Sequence, residues 1–174
     1  MRAFVRSMLL IALAAMPAGA AELGLTSAAF VGGAAVPVEF TCSGPNHSPP
    51  LAWTDPPAGT KAFALLVEDP DAPSGTFTHW VLYDLPATTH ALPAAVPADE
   101  RLPSGGVQCV SDARKVGWFG PCPPPGPVHH YVFRLLALDA STGLGPRASR
   151  GDVLAATHGH VLAESRLVGT FRRE

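Results

Sequence analysis

The sequence predicts a mostly β protein, two packed sheets with one helix near the C-terminus. Three observations predict it. Nineteen prolines and seventeen glycines cut the 174 residues into short pieces. Most of those pieces are β-branched and aromatic between turn signals, as strands are. A single late window, 150–166, has helical composition instead.

In chain order, the expected strands are "VPVEFTC" (36–42), "LAWT" (51–54), "KAFALLVED" (61–69), "THWVLYDL" (78–85), "HYVFRLLALD" (130–139) and "LVGTFRR" (167–173). The helix is expected at "RGDVLAATHGHVLAESR", with Asp152 as N-cap and Gly159 weakening its middle. No internal repeat is visible. Between 87 and 126 lie about forty residues with little that could be regular, far beyond the usual connection length. Its Trp118, Phe119 and two cysteines favour an ordered, functional loop, and "GPCPPPG" reads as a rigid wall.

The first residues have the layout of a secretory signal. Arg2 and Arg6 are the basic start, Met8 to Met16 the apolar run, and Ala18-Gly19-Ala20 the small-residue cleavage region. The expected organisation is a signal peptide at 1–21, one domain at 22–174, and a periplasmic or secreted location. The apolar run is too short to span a bilayer. Without the signal, 10 basic residues face 14 acidic ones, a net charge of −4. With no basic run, binding to nucleic acid is not expected. Of the three cysteines, Cys109 and Cys122 bracket one Gly/Pro-rich loop and are the favoured disulfide; a bridge to Cys42 and three free thiols stay open. None has the spacing of a zinc site, and no cofactor is implied.

"VEDPDAPSGTFTHWVLYDLP" (67–86) concentrates the chemistry. Strand alternation puts His79, Val81 and Tyr83 on one face, and Trp80, Leu82 and Asp84 on the other. Likewise His129, Tyr131 and Phe133 share a face, opposite His130, Val132 and Arg134. Asp69 ends a strand, and Pro70 fixes the turn after it. A carboxylate beside two imidazoles favours their cationic form, which would receive an anion such as phosphate. Taken alone, Asp-Pro-Asp is most often ordinary turn chemistry, and a histidine beside a tryptophan on a strand is more often a core residue. Trp53, Trp80 and Phe133 read as core, and His47 and His90 as exposed loop residues. No Gly-x-Ser-x-Gly elbow is present, so nucleophilic catalysis has weak support.

Taken together, "FTCSGPNHSPPLAWTDPPAGTKAFALLVEDPDAPSG", "HWVLYDLPA", "LPSGGVQ", "GPCPPPGPVHHYVFRLLALD" and "GHVLAESRLVGTFRR" resemble the phosphatidylethanolamine-binding protein family, in its bacterial Raf-kinase-inhibitor-like branch. The resemblance implies that family's β-sandwich, with a shallow anion pocket at one end. It places that pocket at Asp69, His79, Cys122, Pro123, Pro124, His129 and Tyr131, with Asp71 supporting the loop from behind. It implies a binding protein rather than an enzyme, holding a phosphate-bearing small molecule or phospholipid head group. Kinase- or protease-inhibitor-like action on a protein partner, and a homodimer, are implied by resemblance alone. A hydrolase using the Asp/His cluster, or an effector acting through its surface, are the alternatives. His130 stands where the family usually has arginine, Asp84 where asparagine is usual, and Phe77 where tryptophan is common.

Overall fold

Ten short elements follow one another in the computed structural model, which describes residues 22–174; the expected signal segment at 1–21 lies outside them. Strand β1 is Gly24–Thr26, a 3-10 turn spans Val38–Phe40, and β2 is Leu51–Thr54. Then come β3 (Ala62–Asp69), β4 (Phe77–Pro86), β5 (Ala91–Leu92), β6 (Val107–Gln108), β7 (His129–Leu138), helix α1 (Arg150–Thr157) and β8 (Val161–Phe171). A three-stranded sheet has the order β1-β2-β5 and a five-stranded one β6-β4-β3-β7-β8, every pair antiparallel.

The middle strand β3 is buried at all eight positions. Its alternate side chains enter two different cores. Phe63, Leu65 and Val67 pack between the sheets with Trp53, Trp80 and Phe133. Ala64 and Leu66 face the other way, onto Val81, Tyr83, Leu136 and Val153 of α1. The expected sandwich with a late helix is therefore present. Asp69 is the last residue of β3, and this positions it at the open end of the sheet.

Three expected elements differ. The helix stops at Thr157, and 161–171 is the long strand β8, paired with β7 from His129↔Phe171 to Leu138↔Val161. Gly159, at φ +81°, supplies the left-handed turn between them. Ser149, not Asp152, is the N-cap: its Oγ accepts from Asp152 N at 3.2 Å, and the Asp152 carboxylate accepts from Ser149 N at 2.8 Å. Finally, 36–42 is not a strand. Pro37 cannot donate to a ladder, and the chain turns at Val38–Phe40 instead.

Within the loop 87–126, one buried side chain holds several parts together. Gln108, 1% exposed, accepts from Trp80 Nε1 at 2.7 Å and donates to the carbonyls of Pro97 and Asp99 at 2.7 and 2.6 Å. All its amide groups that reach the interior are thereby satisfied.

The favoured disulfide is corrected. Cys42 and Cys122 are bonded, with Cα atoms 5.3 Å apart, and Cys109 is a buried free thiol. Cys109 follows β6 and donates its amide to Val81 O, on the α1 side of the sheet. Cys122 instead lies by the 3-10 turn, where Cys42 N donates to Pro121 O. No described helix is long and apolar enough to cross a membrane.

Candidate functional site

The turn after β3 is built by its own acids. Asp69 Oδ1 accepts from Asp71 N at 2.8 Å, and Gly75, at φ +95°, closes the turn with a bond to Ala72 O. Asp69 Oδ2 is 2.8 Å from His129 Nδ1, with the two side chains 5% and 4% exposed. His129 opens β7, so this buried contact closes the end of the β3–β7 pair. Asp71 turns outward and accepts from both His130 N and His130 Nδ1, at 2.8 and 2.7 Å. Those bonds hold its carboxyl below the ordinary carboxylate value. The Asp-Pro-Asp turn is thus fastened twice to β7, once inside and once at the surface.

His79 arrives by a different route from the one alternation gives. The β3–β4 register pairs Val67 with Trp80 but Glu68 with Thr78, leaving His79 as the extra residue of a bulge. Val81 and Tyr83 point to the α1 side, while His79 joins Trp80 and Tyr131 on the other. Its Nδ1 is 2.6 Å from Phe119 O; a carbonyl only accepts, so Nδ1 carries the proton. The ring stacks on Phe119 at 5.8 Å and meets the Tyr131 ring edge-on at 5.2 Å. Burial pushes the His79 pKa below its ordinary value, outweighing the Phe119 carbonyl and the Asp69 charge. The expected pair of cationic imidazoles is therefore corrected at His79, where desolvation favours the neutral ring.

A cavity of about 120 Å³ lies over these groups. Asp69, His79 and His129 form its polar floor, and Cys122, Pro123 and Pro124 one wall. Phe77, Phe119, Ala72 and Pro73 complete it; of these, Phe119 comes from the expected ordered loop and Phe77 stands where the family commonly has tryptophan. Tyr131 is not on the cavity surface. It is fully buried behind His79, and its hydroxyl has no hydrogen-bond partner among the described residues. Burial, and then the nearby Asp69 charge, raise its pKa. Asp71 also lies off the cavity. Among the described residues no group of three or more His, Cys, Asp or Glu side chains is arranged to hold a metal ion.

The aromatic loop is held by close backbone packing. Gly120 N donates to Asn46 Oδ1 at 2.9 Å, and a Cβ at Gly120 would meet Phe40 O at 2.2 Å. Only glycine fits there, so "GWFGPC" presents Phe119 and Cys122 to the cavity in a fixed pose. Chemically, the site offers a buried carboxylate–imidazole pair, a neutral histidine with Nε2 left without a proton, and apolar walls.

Comparison with known proteins agrees with this architecture. A profile of the family described as "Phosphatidylethanolamine-binding protein" matches residues 26–172. A UPF0098 protein of Methanothermobacter thermautotrophicus is 47% identical over 151 residues, covering 87% of this chain and 99% of the relative. A Mycobacterium tuberculosis chain named "Putative lipoprotein LppC" is 41% identical over 160 residues, 91% of this chain and 77% of that one. The crystal structure of E. coli YbcL, described as a new member of the mammalian PEBP family, superposes with a TM-score of 0.81 at 32% identity, covering 88% of this chain and 100% of YbcL. These matches show that the chain belongs to the phosphatidylethanolamine-binding protein family.

Proposed function

We propose that this protein is an exported binding module, not an enzyme, whose Asp69–His129 pocket captures a phosphate-bearing small molecule or the phosphate of a lipid head group. The observation that carries the proposal is the buried Asp69–His129 pair beneath a small cavity with apolar walls. At about 120 Å³ the cavity is below the ~300 Å³ of ordinary small-molecule sites, so it suits one compact charged group rather than a whole lipid. His79, once protonated, gains an Nε2–H donor for an anion, and His129 lines the same floor beside it. Asp69 offers a carboxylate that an ammonium group on the same ligand could meet. Export is supported by the basic–apolar–small layout of 1–21 and by the lipoprotein name of the mycobacterial relative. Action on a protein partner, as an inhibitor of a kinase or protease, would use the pocket rim.

A hydrolase is the second reading, favoured by one observation: an aspartate orienting a histidine is also how a general base is held. Against it, the cavity wall offers no free hydroxyl or thiol nucleophile, since Cys122 is bonded to Cys42. Isothermal titration with phosphoethanolamine separates the readings. Binding abolished by both Asp69→Ala and His129→Ala supports the pocket. Turnover of a phosphate ester by the parent would overturn the binding-only reading, and a folded parent that binds nothing would move attention to the surface.

A further inference from the structure

A second cavity, about 250 Å³, opens on the α1 side of the five-stranded sheet between Glu68, Thr76, Val132, Arg134, Arg150 and Arg166. Glu68 and Val132 are register partners and alternate with Asp69 and Tyr131, so this cavity backs onto the first through β3 and β7. Arg134 and Arg166 stand directly opposite each other in the β7–β8 register. Directly opposed side chains share a face with Cβ atoms about 5 Å apart, and like charges so placed repel.

The carboxylates nearby do not offset this fully. Glu164 pairs with Arg166 at 2.6 Å but is 3.9 Å from Arg134 Nε, too far for a hydrogen bond. Arg134 Nε is buried and has no partner among the described residues. Glu68 is engaged by Arg150, from the first turn of α1. Three guanidinium groups therefore meet two carboxylates. One positive charge remains, and the unused donor belongs to the half-buried Arg134. A network that only solvated the sheet would place opposite signs across the strands.

The geometry points to a second anion site, seated between Arg134 and Arg166, for the carboxylate or phosphate group of a small molecule. Both groups match the fork of an arginine, and either would relieve the cross-strand repulsion through the guanidinium ends. The site shares no ligand-facing residue with the Asp69–His129 pocket, so each can fail without the other.

Isotope-labelled protein is titrated with phosphate, and separately with succinate, at constant ionic strength set by chloride, and read at the arginine Nε–Hε resonances. Saturable shifts at Arg134 and Arg166 are expected. Saturation with phosphate alone assigns a phosphate group, and with succinate alone a carboxylate. Arg134→Met and Arg166→Gln should each weaken binding roughly tenfold or more, while Asp69→Ala leaves it in place. Arg166 is 60% exposed, so its variant tests the site even if Arg134→Met does not fold. The proposal is overturned if neither anion gives a saturating shift in the parent, or if binding is unchanged in folded Arg166→Gln.

Discussion

His79 can contact an anion well only after gaining a proton, because Nδ1–H is committed to Phe119 O and Nε2 is bare. Burial lowers the pKa of this ring, so the cationic form accumulates only below the ordinary value of 6.5. Affinity for sulfate, whose own charge does not change in this range, should therefore rise as pH falls from 6.5, and the rise should shrink in His79→Gln. Titration calorimetry across that range checks it; equal slopes in both proteins would remove His79 from the binding equilibrium. The same shift has the opposite effect on the empty fold. The unfolded ring protonates first, so stability present above pH 6.5 is lost as pH falls below it. Gln108 carries a separate prediction. Gln108→Leu strands the buried Trp80 Nε1 and unties the Pro97 and Asp99 carbonyls, and should lower unfolding free energy by about 2 kcal/mol in urea titrations. At this scale Asp69 was legible as the end of its strand, whereas His129 lay one residue outside the expected strand and was placed with Asp69 by the family resemblance. The face of His79 was not: its bulge depends on how β3 and β4 match over their whole length. Asp84 is similar, since the second irregularity of the same ladder leaves it at φ +53°, a conformation that aspartate and asparagine tolerate.

Among the elements, the loop 119–124 depends most on a distant tether. The Cys42–Cys122 bond closes a separation of 80 residues, for which chain entropy gives about 4.5 kcal/mol. Cys42→Ser should lower stability by up to that amount in denaturant and loosen the Cys122–Pro123–Pro124 wall, so phosphate affinity should fall as well. An unchanged midpoint would show that the loop is held by Gly120, Asn46 and the backbone alone. The pairing was not legible because proximity along the chain favoured Cys109, while the sheet separates Cys109 from Cys122. The helix was legible in its first residue, Arg150, but not in its cap or its end. Ser149 and Asp152 form a local capping box, whereas 161–166 becomes strand through pairing with β7, a tertiary effect that composition does not carry. The strands β3, β4 and the second half of β7 were legible because their apolar content matches burial on both faces.

At the scale of the molecule, two acidic protons are trapped on the α1 side of the sheet. Burial, and then Asp152, push the Cys109 thiol up to about 12 from 9.0; burial, and then Cys109 and Asp84, push the Tyr83 hydroxyl up to about 12 from 10.0. Both shifts raise the folded value above the unfolded one, so stability is intact below pH 9 and is lost as pH rises from 9 towards 12. Thermal melts should show Tm falling from about pH 9 upward, and Cys109→Ala should delay the onset. A Tm flat to pH 11 would contradict this, as would rapid alkylation of the native thiol. The free edge of the larger sheet is managed at the same scale. β8 bonds to the 33–36 segment near its C-terminal end, through Gly33 N to Val168 O and Val36 N to Thr170 O, and carries Glu164 and Arg166 where it is open.

The Asp69–His129 contact joins residues 60 positions apart. Non-local pairing of this kind forms only after the intervening chain has been closed, so it belongs to the slow, late part of β folding. The pocket has no independent existence as a local motif; it arises when β3 and β7 zip together and vanishes when they part. Ligand affinity is then a gauge of global folding. Loss of phosphoethanolamine binding and loss of sheet signal in circular dichroism should trace one denaturation curve with one midpoint. A bound ligand should move both by the same amount, because it is held by the folded chain alone.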